Sequence, residues 1–597
     1  AMAGMASPDL RARGHMKAQR LGAEEGGLDE EDAGLVGERR LDGFPAADAK
    51  PPSPKGVVAA TTHSRRNVHY LGIGILVAIL LAILVWLLGT SPTAATPGVL
   101  LRLATWNIAA INNNPFEYWI THDDPAYNRL MQDVEAFLDK PGDEDVALSE
   151  VFHNDWVDEL VELMQKEGWE EVEAAHTEFK QKYLKRKIAS EFLKDKDIGL
   201  KRLVSMPDRM TNTINLASGS TACRPAVDNC YKKQFSNLQD WWKQWKHFMF
   251  EEKMLASDGE KKRACDLITK ISNAKYPALS DEEAKMSKPL SLFSQAAFDA
   301  ITVHMLSTIA NGRHKSRWQS LRKEMCHALN DNKASRTLEI LSSSLYSGSD
   351  IIFLQEVAGA FVDMMRQSDL AQYFQVLATD SKRDQNSVIL LRKSRFDVNT
   401  VHDLTEDFHG YLDASAGVAH GDLITVSVEG PSASFLLASF HGDTNGQQTI
   451  PVVKAMHKLS ERPDLKGFHF IFGLDANTYA VKKPKYQYVM EFAAEYNKLG
   501  YTSCWGDKPN PANHTTFNAR TYLQPQLNKA VRFSDLDAPD SGDKNPKDFI
   551  LFNKGVYSVQ RTWKDNTGKG TYKEGMVFPT LAFPSDHGVL ATELLQI

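Results

Sequence analysis

The stretch DIIFLQEV, residues 350–357, contains four consecutive large apolar residues, which are followed by a glutamine, Glu356 and a valine. A continuous apolar run, as opposed to an alternating one, is typical of a strand that is buried on both faces. An unpaired carboxylate is costly to bury, so Glu356 is expected to meet a cation at the end of this strand. The segment therefore predicts a central strand that carries an acidic side chain to a functional edge.

Similar strands are predicted on both sides of this segment. They cover residues 99–109, 387–392, 422–430, 434–442, 468–477, 547–553 and 589–595. Helical periodicity separates some of them, as in QYVMEFAAEYNKLG at 487–500. The mixture of hairpin-like and crossover connections predicts an α/β protein with two packed sheets and outer helices.

Residues from about 155 to 345 follow a different pattern, with helical segments such as FSNLQDWWKQWKHFMFEEKM (235–254) and few strand candidates. Because long loops without structure are rare in compact domains, we predict a large helical insertion here. Its aromatic residues, such as Trp241 and Trp242, are expected to form a core or a subdomain interface in preference to a platform for stacking bases. Its basic run at 180–187 is interpreted as a solvated helix face in preference to a polyanion-binding patch.

The segment YLGIGILVAILLAILVWLLG, residues 70–89, contains no charged residue. A helix of this length spans about 30 Å, the thickness of the hydrocarbon core of a bilayer, so it predicts an uncleaved signal-anchor helix. Four basic residues lie within twenty positions before it, and only Arg102 lies within twenty positions after it. The positive-inside rule then predicts a single-pass, type II protein whose main body is lumenal or extracellular.

The predicted organisation therefore has four parts. They are a disordered cytosolic tail (1–69), a transmembrane helix (70–89), a stem (90–100) and a catalytic domain (101–597). The chain of 597 residues is 42% hydrophobic and has a formal net charge of −7, which argues against a wholly disordered chain and a basic nucleic-acid coat. Five cysteines are too few for a disulfide scaffold. Cys223 and Cys230 bracket a short loop and are the predicted disulfide pair.

Polar residues gather at the ends of the predicted strands. In chain order they are Asn107, Glu356, His441, Asp475, Asn477, Asp548, Asp586 and His587. Asp475 and Asn477 project from one face, because strand side chains alternate with a period of two. Oxygen ligands of this kind suit Mg²⁺ or Mn²⁺ better than zinc. A metal, several acids and a histidine are the groups that attack of water on a phosphate ester requires.

Six motifs, in this order, resemble those of the endonuclease/exonuclease/phosphatase superfamily. They are TWNI (105–108), DIIFLQEV (350–357), SFHG (439–442), GLDAN (473–477), KDFIL (547–551) and PSDHGVL (584–590). The resemblance implies a four-layered α/β sandwich, in which helices flank two packed mixed sheets, and a metal-dependent phosphoric ester hydrolase. Leu474 stands where the family usually has glycine and Lys547 where arginine is commoner, but neither change removes a catalytic group.

The resemblance also implies a role for each matching residue. The metal ligands would be Glu356, Asn107 and Asp586. The catalytic residues would be Asp475 for the attacking water, His587 with Asp548 for the phosphate, and His441 for the leaving group. Asn477 would hold a phosphate oxygen, and the neighbouring sequence adds Asn445 and Arg520 as candidates for substrate contact.

The stretch DVALSEVF, residues 145–152, imitates the glutamate strand and makes Glu150 a rival to Glu356. Glu356 is favoured because its strand is the closer match and follows a helix-like stretch at 334–346. Glu150 is expected to be a structural acid near the start of a helix.

The predicted function is a membrane-anchored, Mg²⁺-dependent (or Mn²⁺-dependent) hydrolase of a phosphodiester or phosphomonoester. A nuclease and a sphingomyelinase-like lipid phosphodiesterase both fit, so the substrate is expected to be a phosphate ester such as nucleic acid or phospholipid. The inositol 5-phosphatase branch is disfavoured, because NPKDF (545–549) and TYA (478–480) replace its motifs. The alternative is a catalytically silent family member that acts as a membrane-anchored binding protein. The sequence does not indicate a protein partner.

Overall fold

The computed structural model describes residues 98–204, 213–218, 220–312, 317–379, 383, 385–538 and 541–597. Within these ranges, no helix is both long and apolar enough to cross a bilayer. The predicted transmembrane helix and cytosolic tail lie outside the described residues.

In the described part of the chain, twelve strands build two six-stranded sheets. They are β1 (Leu100–Asn107), β2 (Ile351–Gln355), β3 (Phe374–Ala378), β4 (Val388–Arg392), β5 (Asp397–Asp403), β6 (Leu423–Glu429), β7 (Ser434–His441), β8 (His469–Asp475), β9 (Tyr501–Ser503), β10 (Asp548–Asn553), β11 (Tyr557–Asp565) and β12 (Val589–Gln596). The strand order is β11-β12-β1-β2-β4-β3 in the first sheet and β9-β10-β8-β7-β6-β5 in the second. Both sheets are mixed, because β1 and β2 run parallel, as do β7 and β8, whereas the other neighbours are antiparallel.

The two sheets pack face to face through a shared apolar core. Leu103 and Phe353 of the first sheet are fully or almost fully buried in one cluster with Ile471 and Ile550 of the second. Gly473 of β8 faces this core, and a Cβ atom built on it would overlap the Phe353 ring. All five residues of β2 are buried, which explains the continuous apolar run that predicted this strand.

Helices flank the two sheets or lie in the segment between β1 and β2. They are α1 (Pro125–Asp139), α2 (Leu148–Val151), α3 (Asn154–Lys166), α4 (Val172–Lys182), α5 (Lys196–Leu200), α6 (Leu238–Lys246), α7 (Asp281–Lys285), α8 (Ser287–Asn311), α9 (Trp318–Cys326), α10 (Lys333–Ser342), α11 (Gly359–Gln367), α12 (Leu370–Tyr373), α13 (Thr405–His409), α14 (Thr449–Ser460) and α15 (Val489–Lys498). Phe408, Met456 and Phe492, from α13, α14 and α15, share a buried cluster with strand residues of the second sheet. The outer face of the first sheet belongs to a cluster that includes many residues of the insertion. The prediction of packed mixed sheets flanked by helices is confirmed.

The predicted helical insertion lies between β1 and β2. Helix α1, which starts at Pro125, precedes its predicted boundary near residue 155. The 25-residue helix α8 is buried along most of its length, including polar residues such as Ser291, Gln295 and Asp299, so it has no broad exposed polar face. The tryptophans Trp241, Trp242 and Trp245 are fully buried, as predicted for a core.

The predicted disulfide between Cys223 and Cys230 is wrong, because Cys230 is bonded to Cys326 of α9. The Cα atoms of this pair are 5.4 Å apart although 96 positions separate them in the chain. Arg322, one turn before Cys326, donates hydrogen bonds to the carbonyls of Ala226 and Lys233. These contacts hold α9 against the loop that contains Cys230, a tertiary arrangement that sequence proximity does not reveal.

Candidate active site

Both sheets deliver polar side chains to one edge of the sandwich. Asn107 ends β1, Glu356 follows β2, His441 ends β7 and Asp475 ends β8. Because β1 and β2 are parallel, as are β7 and β8, the carboxyl ends within each pair lie side by side. Asp548, the first residue of β10, is paired directly with Asp475 in the antiparallel register. Residues that are far apart in the sequence are therefore brought together.

Asn107 joins the acidic side chains of the two sheets. Its Nδ2 donates hydrogen bonds to Glu356 Oε1 at 2.9 Å and to Asp475 Oδ2 at 3.0 Å. Its Oδ1 accepts a hydrogen bond from the backbone N–H of Ala109 at 2.9 Å. The amide nitrogen thus holds two carboxylates together, while the oxygen proposed as a metal ligand is engaged by the backbone.

Glu356 is held by donors on both of its oxygens. Oε2 accepts from the N–H of Ala110 at 2.7 Å, and His441 Nε2 lies 3.4 Å from Oε1. Burial acts to raise the pKa of Glu356, but His441, the Asn107 amide and the Ala110 N–H lower it to about 2. The backbone of Glu356 has a φ of +55°, a conformation that costs energy for a residue with a side chain and is common at functional sites.

His441 lies between the two acids that Asn107 joins. Its Nε2 is 3.4 Å from Glu356 Oε1 and 3.7 Å from Asp475 Oδ2, and its side chain is 22% exposed. The imidazole is therefore close to the carboxylates and accessible from solvent.

His587 and Asp548 form a buried hydrogen-bonded pair. His587 Nδ1 lies 2.9 Å from Asp548 Oδ2, and Nε2 lies 3.7 Å from Asp475 Oδ2. Burial acts to lower the pKa of His587, but Asp548 and Asp475 raise it to about 10. The histidine therefore carries a positive charge at neutral pH.

The turn that presents His587 is fastened to the end of β1. Ser585 Oγ donates to the carbonyl of Asn107 at 2.7 Å and accepts from the His587 N–H at 3.0 Å. Trp106 Nε1 donates to the carbonyl of His587 at 2.9 Å. We did not predict supporting roles for Ser585 and Trp106, although both lie inside the quoted motifs and next to predicted site residues.

Asn477 belongs to the same cluster as Asp475. Its N–H donates to Asp475 Oδ1 at 2.9 Å, and its backbone has a φ of +46°. The residue is 3% exposed. The nearby Asn445 contributes its main chain, since its carbonyl accepts from the Gln487 N–H at 2.8 Å.

Asp586 and Arg520 each have a polar partner outside this cluster. Asp586 Oδ2 accepts from Asn518 Nδ2 at 3.3 Å, and burial raises the pKa of Asp586. Arg520, two positions after Asn518, forms an ion pair with Glu117 at an Nη1–Oε1 distance of 3.6 Å.

Glu150 has the structural role that the sequence predicted. It is the third residue of α2, and its Oε1 accepts from the backbone N–H of Ala147 at 3.0 Å, which caps the helix.

The donor set fits a hard divalent cation. Glu356 and Asp475 present carboxylates around one amide group, Asp586 adds a further, half-buried acid, and oxygen donors of this kind suit Mg²⁺ or Mn²⁺. The ligand atoms of Asp475, Asp548 and His587 also lie within 4.8 Å of one another. The hydrogen bond between His587 and Asp548 already engages two of these three residues, so the Glu356 side is the better candidate for a metal.

A sequence family described as Domain of unknown function (DUF8234) matches residues 145–323, which lie between β1 and β2. No curated protein sequence matches the chain.

Several solved structures share a likeness with part of the chain. D. rerio TDP2 complexed with single-strand DNA product is 16% identical, and the match covers 45% of this chain and 94% of that one with a TM-score of 0.30. The human Nocturnin catalytic domain with bound sulfate is 14% identical over 45% of this chain and 87% of that one, with a TM-score of 0.29. A Bacteroides thetaiotaomicron mannosyl-6-phosphatase is 18% identical over 44% of this chain and 91% of that one, with a TM-score of 0.28. At such TM-scores these likenesses assign no activity to this chain.

Proposed function

We propose that this chain is a metal-dependent phosphoesterase of the endonuclease/exonuclease/phosphatase superfamily. The observation that carries the proposal is the meeting of Asn107, Glu356 and Asp475 with the Asp548–His587 pair at one edge of the two sheets. Burying several charges together costs stability, and such groupings are typical of functional sites. The six ordered motifs give independent support from the sequence.

His587 supplies a fixed positive charge for the phosphate group of the substrate. Because its pKa is about 10, it keeps its proton at neutral pH and can donate from Nε2 to a phosphate oxygen. Asp548 accepts from Nδ1, which fixes the orientation of the ring. The pair would therefore stabilise the negative charge that develops as water attacks phosphorus.

Asp475 is positioned to orient the attacking water and to accept its proton. The Asn477 N–H binds one of its oxygens and the Asn107 amide binds the other, so the carboxylate has a fixed direction. The Asn477 side chain would hold a phosphate oxygen beside it. His441, which is partly exposed, would deliver a proton to the leaving oxygen.

Glu356 and Asp586 would hold Mg²⁺ or Mn²⁺, with Asn107 fixing the Glu356 carboxylate. When bound, such an ion would supply positive charge that polarises the phosphate and offsets charge on the leaving oxygen.

We propose that the substrate is a phosphate ester, with a nuclease and a sphingomyelinase-like lipid phosphodiesterase as the two candidate activities. The test uses the full-length protein in detergent with Mg²⁺ or with EDTA. Single- and double-stranded DNA, RNA, sphingomyelin and a panel of phosphomonoesters are the substrates. We expect turnover with Mg²⁺ alone, and the substrate that responds identifies the activity. A folded, metal-loaded protein that turns over none of them would favour the catalytically silent binding protein.

We also propose that the protein is a single-pass, type II membrane protein with a lumenal or extracellular catalytic domain. The apolar segment at 70–89 supports the anchor. The disulfide between Cys230 and Cys326 supports the topology, because disulfides persist mainly in oxidising compartments.

A further inference from the structure

Helix α10 and the turn before it belong to the insertion, yet they contact two loops of the candidate active site. Three polar side chains, spaced three positions apart, make these contacts. They are Asn330, whose Nδ2 donates to Asn113 Oδ1 at 2.8 Å, Lys333, whose Nζ donates to the Ala110 carbonyl at 3.1 Å, and Arg336, whose Nε donates to the Ala582 carbonyl at 2.8 Å. Ala110 follows β1, and Ala582 precedes Asp586, so the insertion touches loops from both ends of the domain.

Lys333 is the first residue of α10 and is only 6% exposed. A cation at this position does not serve the helix, because the N-terminal end of a helix dipole is positive and disfavours lysine. Burial lowers the pKa of Lys333 to about 8, while Asp586 and Glu356 act to raise it. Two proposed metal ligands therefore act electrostatically on the ammonium group.

The hydrogen bond to Ala110 fixes the ammonium group on the acidic side of the site. The carbonyl of Ala110 accepts the hydrogen bond from Lys333, and the N–H of Ala110 donates to Glu356 Oε2 at 2.7 Å. Lys333 and Glu356 are thus connected through a single residue of the loop.

We propose that the insertion, through Lys333, sets the affinity of the active site for its divalent cation. A fixed positive charge beside Glu356 and Asp586 partly neutralises them and repels an incoming cation, which weakens metal binding. Lys333 is a positioning residue in this role, since it acts through the metal ligands and not on the substrate. The inference rests on the proposed function only for the location of the metal.

The test measures Mn²⁺ binding to the full-length protein by isothermal titration calorimetry. Lys333→Gln removes the charge and keeps a donor for the Ala110 carbonyl. We expect its Kd for Mn²⁺ to fall at least about threefold, because a repulsive charge near the ion has been removed. Lys323→Met, an exposed lysine of α9 with the same loss of charge, should leave the Kd unchanged. Glu356→Gln should weaken binding and so locate the ion.

A smaller decrease in Kd for Lys333→Gln, or weaker binding, overturns the proposal. If Lys333→Gln fails to fold, Lys333→Met decides by the same criterion, since its unbranched side chain replaces the lysine stem. Calorimetry needs no substrate, so the two proposals can fail separately. If the protein turns over a substrate but the Lys333 variants keep the wild-type affinity for Mn²⁺, the role of Lys333 is refuted and the proposed activity stands. If Lys333→Gln binds Mn²⁺ more tightly but the protein turns over no substrate, the proposed activity is refuted and the role of Lys333 stands.

Discussion

The charge of His587 depends on its hydrogen bond with Asp548. In the native protein the two neighbouring carboxylates hold its pKa at about 10 in spite of burial. Asp548→Asn removes the stronger of these two stabilising interactions. We expect it to lower the pKa of His587 by about 2 or more, because one full charge at hydrogen-bond distance is lost. NMR titration of the imidazole in metal-free protein measures this. A pKa that stays near 10 would show that Asp548 is not the cause.

The same shift makes the stability of the fold depend on pH. The pKa of His587 is raised in the folded state from 6.5, so its stabilising contribution is fully present below about pH 6.5 and is lost as the pH rises through about 10. We expect the free energy of unfolding to fall between pH 7 and 10 in the wild type and to fall less in His587→Gln. Urea unfolding at several pH values compares the two, and parallel curves would contradict the expectation.

The sequence predicted which acids and histidines meet, because each of them stands at the end of a recognisable strand. It did not predict that Asn107 would bind two carboxylates with its nitrogen, since an amide offers both a donor and an acceptor. Lys333 was also missed. Its contact with the site depends on how the insertion packs, and the pattern KASRTLEILS (333–342) shows only an ordinary helix.

The substitution Gly473→Ala tests whether the two sheets pack closely at this position. An added Cβ atom would overlap the Phe353 ring in the shared core, so Gly473→Ala should lower the free energy of unfolding by about 1–3 kcal/mol. Gly199→Ala is the control, because nothing lies within 4 Å of the added atom and the residue is in α5. The control should be neutral or slightly stabilising. Equal effects of the two changes in urea unfolding would refute this view of the sheet interface.

Removal of the disulfide between Cys230 and Cys326 tests the packing within the insertion. Cys326→Ser should lower the free energy of unfolding by about 2–5 kcal/mol, because the bridge closes a long loop of the unfolded chain. Cys223→Ser should cost less, and peptide mapping of the oxidised protein should recover the Cys230–Cys326 pair. Recovery of a Cys223–Cys230 peptide would restore the pairing suggested by sequence proximity.

Among the strands of the two six-stranded sheets, those that the sequence did not predict are β3, β5, β9 and β11, the edge strands. Edge strands are more polar and more exposed than central ones, as the alternating exposure of β5 shows. Their apolar pattern is therefore weak. The eight predicted strands occupy the interior positions, where burial on both faces produces a clear apolar signal.

At the scale of the whole molecule, the helical periodicity of residues 155–345 indicated a helical insertion. DVALSEVF (145–152) resembles a strand in the sequence, but Leu148–Val151 form helix α2 in the structure. The membrane anchor stays a prediction from the sequence, because its segment lies outside the described residues.

We expect the proposed topology to protect residues 99–597 from a protease added to intact microsomes. We also expect a carbohydrate on Asn513, which precedes His514 and Thr515 in a glycosylation sequon and lies in a partly exposed turn. A peptide N-glycosidase should reduce the apparent mass of the wild type and not that of Asn513→Gln. Digestion of the body in intact vesicles would contradict the topology.

The central claim is that the cluster around Asp475 performs metal-dependent hydrolysis of a phosphate ester. The most direct measurement is kcat/KM with Mg²⁺ for the wild type, Asp475→Asn and Asp464→Asn on the substrate that responds in the panel. Asp464 is an exposed acid paired with Arg462, so the control makes the same chemical change outside the cluster. We predict a loss of at least about a hundredfold in Asp475→Asn, as expected for removal of a general base, and no loss in the control. Equal activity of all three proteins would contradict the assignment of this cluster as the active site.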